Sequence, residues 1–248
     1  MKDTWIDHQN NLQHRGFSVV NNIFSEDELK GMLTLLADLI ATDNPLFRRT
    51  ADLFAIRQFL KVQPQMKRLV FNSKIANLIS SLFGDEYFIV KSIYFDKPPQ
   101  SNWFVACHQD LTISVKEKIE MQGFGPWTVK QGQFAVQPPL SILEDNFTLR
   151  IHLDDTTAEN GALKVIPGSH LKGIFRPETV DRQNEREEFC EVEKGGVMLM
   201  KPLLLHASNR SINKERRRVI HIEFSRKELP GNMTWAERDE YTFPVVNN

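Results

Sequence analysis

The sequence predicts a mainly β protein with a helical opening: a β-sandwich or small barrel whose leading helices pack on one outer face. Two observations carry this. The first third follows the helical period, and from Tyr87 onward seven short runs are rich in aromatic and β-branched residues. A third is the size: 248 residues is a length that all-β sandwiches and barrels often fill as one domain.

The elements follow in order. Ser25-Glu26-Asp27-Glu28 is a capping box, and behind it Leu29, Met32, Leu33, Leu36, Leu39 and Ile40 form one apolar stripe. A less distinct helix is expected at roughly 50–62, closed by Pro64. Another starts at Asn72 or Ser73, carries Ile75, Leu78, Ile79 and Leu82 on one face, and stops before Gly84. The strand candidates are Tyr87–Phe95, Gln133–Gln137, Phe147–Leu153, Ala162–Ile166, Gly196–Met200, Leu203–Ser208 and Arg217–Phe224, each bounded by Gly, Pro, Asn or Asp. Two long connections, about 96–107 and 111–132, read as loops, and loops of that length are usually functional or mobile.

Composition excludes several classes. The chain carries 31 basic against 32 acidic residues, so no global positive field draws it to nucleic acid. No stretch approaches the ~18 apolar residues of a membrane span. Only Cys107 and Cys190 are present, too few for a disulfide scaffold, and no apolar region follows Met1-Lys2; a cytoplasmic setting is the expectation.

The seven histidines raise the question of a metal. A facial triad needs two His and one carboxylate on one side of an iron, and residues two apart on an extended chain point the same way. Three such pairs exist: His108-Gln109-Asp110, His152-Leu153-Asp154 and His221-Ile222-Glu223. His221 has no later histidine to complete it. His152 ends a strand and has His206 downstream, so spacing leaves it open. His108 and Asp110 lie between two long connections, where an accessible site would be built, and context favours them. Farther on, His206 and Ser208 share one strand face. On the last strand Arg217, Val219, His221 and Glu223 share one face, while Arg218, Ile220, Ile222 and Phe224 share the apolar one. An inward Arg217 needs an anion; a bound carboxylate and an internal pairing with Glu223 are the two readings.

From about Ile93 to Phe224 these residues, in this order, resemble the phytanoyl-CoA dioxygenase family of iron(II)- and 2-oxoglutarate-dependent oxygenases. The resemblance rests on Lys97-Pro98-Pro99, His108-Gln109-Asp110, the segment from Asn160-Gly161 to Pro167-Gly168-Ser169-His170, then His206-x-Ser208 and Arg217. It implies a double-stranded β-helix, a jelly-roll of cupin type, buttressed by N-terminal helices. One domain over 1–248 is expected: 1–86 mainly helical support, 87–225 the β-helix core, and 226–248 a C-terminal tail. His108, Asp110 and His206 are the implied Fe(II) ligands, with His152 left as a pocket residue. Arg217, with Ser208 beside it, is the implied clamp for 2-oxoglutarate, and Arg150 and Ile93 approach the co-substrate; Lys91 shares the face of Ile93.

The resemblance further implies turnover of dioxygen and 2-oxoglutarate to succinate and CO2, with hydroxylation of a small-molecule substrate. Asp110 argues against halogenation, because related halogenases lack that carboxylate. Arg150, His152 and Lys130 favour a small polar or anionic metabolite. Gln137, Lys130 and Trp127, beside or on the loop after the metal motif, are further substrate candidates, with plain packing as the competing reading. Desaturation or carbon–heteroatom cleavage with the same cofactors is the alternative outcome, and a non-catalytic metal- or metabolite-binding β-helix protein is the alternative class. No nucleic-acid or membrane partner is expected.

Overall fold

The computed structural model describes residues 3–42, 44–52, 54–130, 132–181 and 183–239. The first part runs α1 (Asp3–His14), β1 (Phe17–Val20), α2 (Glu26–Ile40), β2 (Phe47–Arg49), β3 (Phe54–Arg57), the short α3 (Phe59–Val62) and α4 (Met66–Val70), then α5 (Ser73–Phe83). The second part holds β4 (Phe88–Lys97), β5 (Val105–His108), β6 (Ile113–Val115), β7 (Trp127–Lys130), β8 (Gln133–Val136), α6 (Leu140–Asp145) and β9 (Phe147–His152). It continues with β10 (Leu163–Val165), β11 (Glu188–Cys190), β12 (Val197–Met200), β13 (His206–Ser208) and β14 (Arg217–Ser225).

These strands make a seven-stranded antiparallel sheet, β1-β12-β9-β14-β4-β3-β2, and a four-stranded one, β11-β10-β13-β5. A small third sheet, β6-β8-β7, stands apart from both. The helices cover one face of the large sheet. Leu29, Met32 and Leu36 of α2 and Ile75, Leu78 and Ile79 of α5 share a core with Leu149, Ile151, Ile220, Ile222 and Phe224. Phe83, Phe147 and Phe224 stack through this layer at centroid separations of 3.7 and 4.7 Å. Period-2 alternation then forces the opposite face of β9 and β14 away from the helices, toward the four-stranded sheet.

Local signals behave as their chemistry dictates. Ser25 accepts from the Glu28 backbone N–H, and the Glu28 carboxylate accepts from Ser25 N–H at 2.8 Å, closing the capping box. Asn72 caps α5 through a bond from Ile75 N–H, and Gly84 follows at φ 87°. No helix among the described residues is long and apolar enough to cross a membrane.

Three expectations need correction. The helix expected at 50–62 is β3 followed by one helical turn. Phe54 and Ile56 point into the helix-covered core, while Ala55 and Arg57 point to the other side, which is a strand's period. The mainly helical first 86 residues also supply β1 to one edge of the large sheet and β3 and β2 to the other. The two connections expected as loops hold β5, β6 and β7, whose runs of three or four residues give no readable alternation. Of the expected tail, residues 240–248 lie outside the described residues.

Candidate active site

A cavity of about 290 Å³ opens between the two larger sheets. Strands β5 and β13 are antiparallel neighbours, and their register sets His206 opposite His108. The imidazole centroids lie 4.3 Å apart. Asp110, two residues beyond His108, is held by a bond from its N–H to the Pro202 carbonyl at 2.9 Å. One ligand atom from each of His108, Asp110 and His206 lies within 4.8 Å of the others.

The hydrogen bonds orient these groups. His108 Nδ1 lies 2.8 Å from the Ala106 carbonyl, and His206 Nδ1 lies 2.9 Å from that of Leu204. A carbonyl only accepts, so each Nδ1 carries the proton and each neutral ring keeps its lone pair on Nε2. Those Nε2 atoms face Asp110, at 3.7 Å from His108 and 3.8 Å from His206. Burial holds the His206 imidazolium down to about 4 despite the pull of Asp110, so the ring is neutral near pH 7. Burial alone would raise Asp110, but His206, Lys91, His221 and His108 outweigh it and bring the carboxyl to about 2. Two imidazoles and one carboxylate with a shared focus are the donor set of a facial triad.

The segment between the ligand motifs braces them. Gln109 is buried and turned away from the cavity; its amide donates to the carbonyls of Leu203 and Gly173 and accepts from Phe175 N–H. Ser169 Oγ accepts from Leu205 N–H, one residue before His206. Gly161, at φ 91°, has no room for a side chain: a Cβ would lie 2.6 Å from Lys97 Nζ and 2.9 Å from the Asn209 carbonyl. Its carbonyl accepts from Ser208 Oγ at 2.9 Å and from Arg217 Nη1 at 2.5 Å.

Arg217 is 3% exposed, and no carboxylate pairs with it among the described residues. The expected alternative, a bridge to Glu223, does not form, because Glu223 is held by Lys91 at 2.7 Å and His221 at 3.0 Å. Burial and the nearby Arg150 bring the Arg217 guanidinium down to about 9, and its Nε is buried without a partner. That orphaned cation, beside the Ser208 hydroxyl, fits the distal carboxylate of a dicarboxylate such as 2-oxoglutarate.

The remaining expectations divide. Ile93, Lys91 and Arg150 line the cavity with the triad, Ser208 and Arg217. His152 does not: it is buried, bonded through Nδ1 to Thr156 Oγ1 at 2.7 Å, and held neutral by burial. Trp127 packs against the core around Val90, Val136 and Trp235, and Gln137 exchanges backbone bonds with Gly125 and Pro126; neither lines the cavity. Both belong to or flank the third sheet, so packing wins there over substrate contact. The Lys130 backbone lies in β7 of that sheet, and its side chain is outside the described residues.

Sequence reasoning missed Arg48, Ala55, Arg57 and Phe95 as lining residues, whereas Trp103, expected at the mouth of the site, does line the cavity. Phe95 was readable, two residues beyond Ile93 on the same strand face. Arg57 was hidden by reading 50–62 as helix, and Arg48 lies before it on a strand of three residues.

A family model for phytanoyl-CoA dioxygenase (PhyH) matches residues 12–219. A phytanoyl-CoA dioxygenase domain-containing protein 1 homolog of Caenorhabditis elegans is 24% identical over 207 residues, covering 74% of this chain and 63% of the relative. The ectoine dioxygenase of Sphingopyxis alaskensis is 30% identical over 162 residues, covering 62% and 46% respectively. The match thus spans less than two thirds of either relative's length. The crystal structure of the epimerase SnoN, in complex with Fe3+, alpha ketoglutarate and nogalamycin RO, superposes with TM-score 0.68 at 16% identity, covering 94% of this chain and 92% of that one. That likeness shows the jelly-roll fold. With the family model spanning most of its length, the chain belongs to the phytanoyl-CoA dioxygenase family of non-haem iron, 2-oxoglutarate-dependent dioxygenases.

Proposed function

We propose that this chain is an Fe(II)- and 2-oxoglutarate-dependent dioxygenase that hydroxylates a small polar or anionic metabolite, with release of succinate and CO2. The observation that carries the reading is one cavity that joins the Nε2 atoms of His108 and His206 and Asp110 to the buried, anion-free Arg217. His108, Asp110 and His206 hold the metal. Fe(II) there supplies the centre at which dioxygen is activated, with electrons from decarboxylation of 2-oxoglutarate.

The chain's own residues orient and exclude. The Ala106 and Leu204 carbonyls fix both imidazole rings with Nε2 turned toward Asp110. Arg217 and Ser208 take the distal carboxylate of the co-substrate, directing its keto-acid end to the triad. A cavity of about 290 Å³ sits at the lower limit of ligand pockets, roughly 300 Å³. That size favours a small substrate beside the co-substrate. Asp110 fills the third protein position, which supports hydroxylation over halide transfer.

The test is anaerobic. Purified protein receives Fe(II) and then 2-oxoglutarate, and the weak visible charge-transfer band of the chelated co-substrate is recorded. The band is expected in the wild type and absent in Asp110→Ala and His206→Ala. Metal binding without a band would overturn the co-substrate assignment; binding of neither would overturn the enzyme reading.

A further inference from the structure

The cavity holds more cationic charge than the assigned ligands use. Arg48, Arg57, Lys91, Arg150 and Arg217 line it against only Asp110 and Glu223. Glu223 is committed to Lys91 and His221. His221 Nδ1 lies 2.9 Å from Arg150 Nη1, and a guanidinium only donates, so Nδ1 accepts and the ring proton sits on Nε2, toward Glu223. Arg150 therefore rests on a neutral acceptor. It is 7% exposed, its Nε is buried without a partner, and no carboxylate pairs with it among the described residues. Asp110 acts on Arg150 from beyond pairing distance, and a buried guanidinium with no paired anion is costly, so a second anion would complete the site.

Strand register offsets the backbone of this cation from that of the clamp, although Arg150 is near enough to lower the Arg217 guanidinium. Arg217 and His221 lie on one face of β14 four residues apart, about 13 Å at roughly 3.3 Å per residue. Arg150 of β9 sits opposite His221, whereas the Arg217 guanidinium turns to Gly161. On the proposed reading, Arg217 and Ser208 would hold the distal carboxylate of the co-substrate at that end of the cavity. Arg150, with His221, Glu223 and Lys91, lines the same cavity, and Asp110 is the carboxylate that acts on it.

We propose that Arg150 anchors the carboxylate of the substrate, so that the enzyme acts on a small carboxylic acid held while 2-oxoglutarate occupies the Arg217 clamp. A guanidinium edge pairs bidentately with a carboxylate and fixes the distance from that group to the attacked carbon. The inference rests on the co-substrate assignment of the proposed function. The other source of the same chemistry is the metal-proximal carboxylate of 2-oxoglutarate itself, and the experiment separates the two.

Protein loaded with Mn(II), a redox-silent stand-in, is titrated calorimetrically with 2-oxoglutarate. The saturated complex is then titrated with a panel of short-chain monocarboxylates and their primary amides. In the wild type, at least one acid is expected to bind more tightly than its amide by about tenfold or more. Arg150→Gln should erase that preference while changing 2-oxoglutarate affinity by less than roughly threefold, and Arg217→Gln should do the reverse. Arg150→Lys, which keeps the charge, should retain part of the preference and guards against a folding defect.

Loss of 2-oxoglutarate affinity in Arg150→Gln, with acid binding intact, would assign Arg150 to the co-substrate and overturn the proposal. Acids and amides binding alike to the wild type, or neither binding, would overturn it too, with the co-substrate assignment standing. A wild type that takes Mn(II) but no 2-oxoglutarate would remove the functional reading and this inference together.

Discussion

Strand β14 has two faces with equal burial and opposite chemistry. Ile220, Ile222 and Phe224 are fully buried in the layer under the helices. Arg217, His221 and Glu223, interleaved with them, are only 3–7% exposed, yet they face the cavity. Depth of burial therefore does not separate core from site here. Completeness does. Phe224 is closed into a stack with Phe147 and Phe83, whereas the cavity face leaves the Nε atoms of Arg217 and Arg150 without partners. Native interiors leave few buried polar atoms unpaired, so two such cations in one cavity mark the face that a ligand completes.

The sharpest way to break that comparison is to truncate each face. Phe224→Ala should cost about 3–5 kcal/mol of folding stability, because it opens a void in the aromatic stack. Denaturant unfolding would measure it, and the folded fraction should keep its affinity for 2-oxoglutarate. A loss of affinity without a loss of stability would mean that the helix-covered face also shapes the site. Arg217→Met should behave in the opposite way. A buried charge with no paired anion carries a desolvation cost that an apolar side chain of similar length avoids, which offsets the lost bond to the Gly161 carbonyl. The ligand-free variant should then melt at or above the wild-type temperature, while 2-oxoglutarate affinity falls on the order of thirtyfold or more. Marked destabilisation would show that Arg217 is a structural strut.

The same contrast explains what the sequence could reveal. Six strand-like runs and the two capped helices were legible because each kept a clean period or a cap, whereas of Leu203–Ser208 only His206–Ser208 is strand. The geometry of His108, Asp110, His206, Ser208 and Arg217 was legible because paired short strands bring together residues that a motif order already links. Arg48 and Arg57 were not legible: β2 and β3 are three and four residues long, too short for alternation to outweigh the helical texture around them. Nor could the sequence show that Glu223 serves Lys91 and His221 rather than Arg217, since that depends on the register of β14 against β4 and β9. Trp127 and Gln137 misled for a related reason, because a long segment after a metal motif reads as a substrate loop until its pairing into a third sheet is seen.

Two buried carboxylates extend the comparison to charge. Asp110 is drawn down to about 2 by His206, Lys91, His221 and His108, whereas burial pushes Glu237 up to about 7 against bonds from the Ser92 N–H and hydroxyl and the pull of Lys91. Since the folded value of Glu237 lies above its ordinary 4.5, the folded state favours the proton. Its stabilisation is complete below about pH 4.5 and is lost as pH rises through about 7. Glu237→Gln removes the ionisation and keeps an acceptor for Ser92 N–H. The variant should gain on the wild type across that window, reaching on the order of 1–3 kcal/mol above it. Unfolding free energies measured in parallel from pH 4 to 8 would check this, and a pH-independent difference would show that Glu237 does not titrate there.

The smallest expected effect lies in the helical layer, far from any unpaired charge. Ser25 caps α2 through the Glu28 backbone N–H, and Glu28 returns a bond to Ser25 and accepts another from Asn72, the cap of α5. One residue pair thus ties the starts of the two helices that cover the large sheet. Ser25→Ala removes one acceptor at the helix start and should cost about 1 kcal/mol. Because the bond from Asn72 to Glu28 remains, the layer should stay docked on the sheet and the cavity face of β14 should not move. The expected result is a small drop in melting temperature with unchanged 2-oxoglutarate affinity. A large drop together with weakened affinity would mean that the cavity face depends on how the helices seat the sheet, and the two faces of β14 would then have to be treated as one coupled unit.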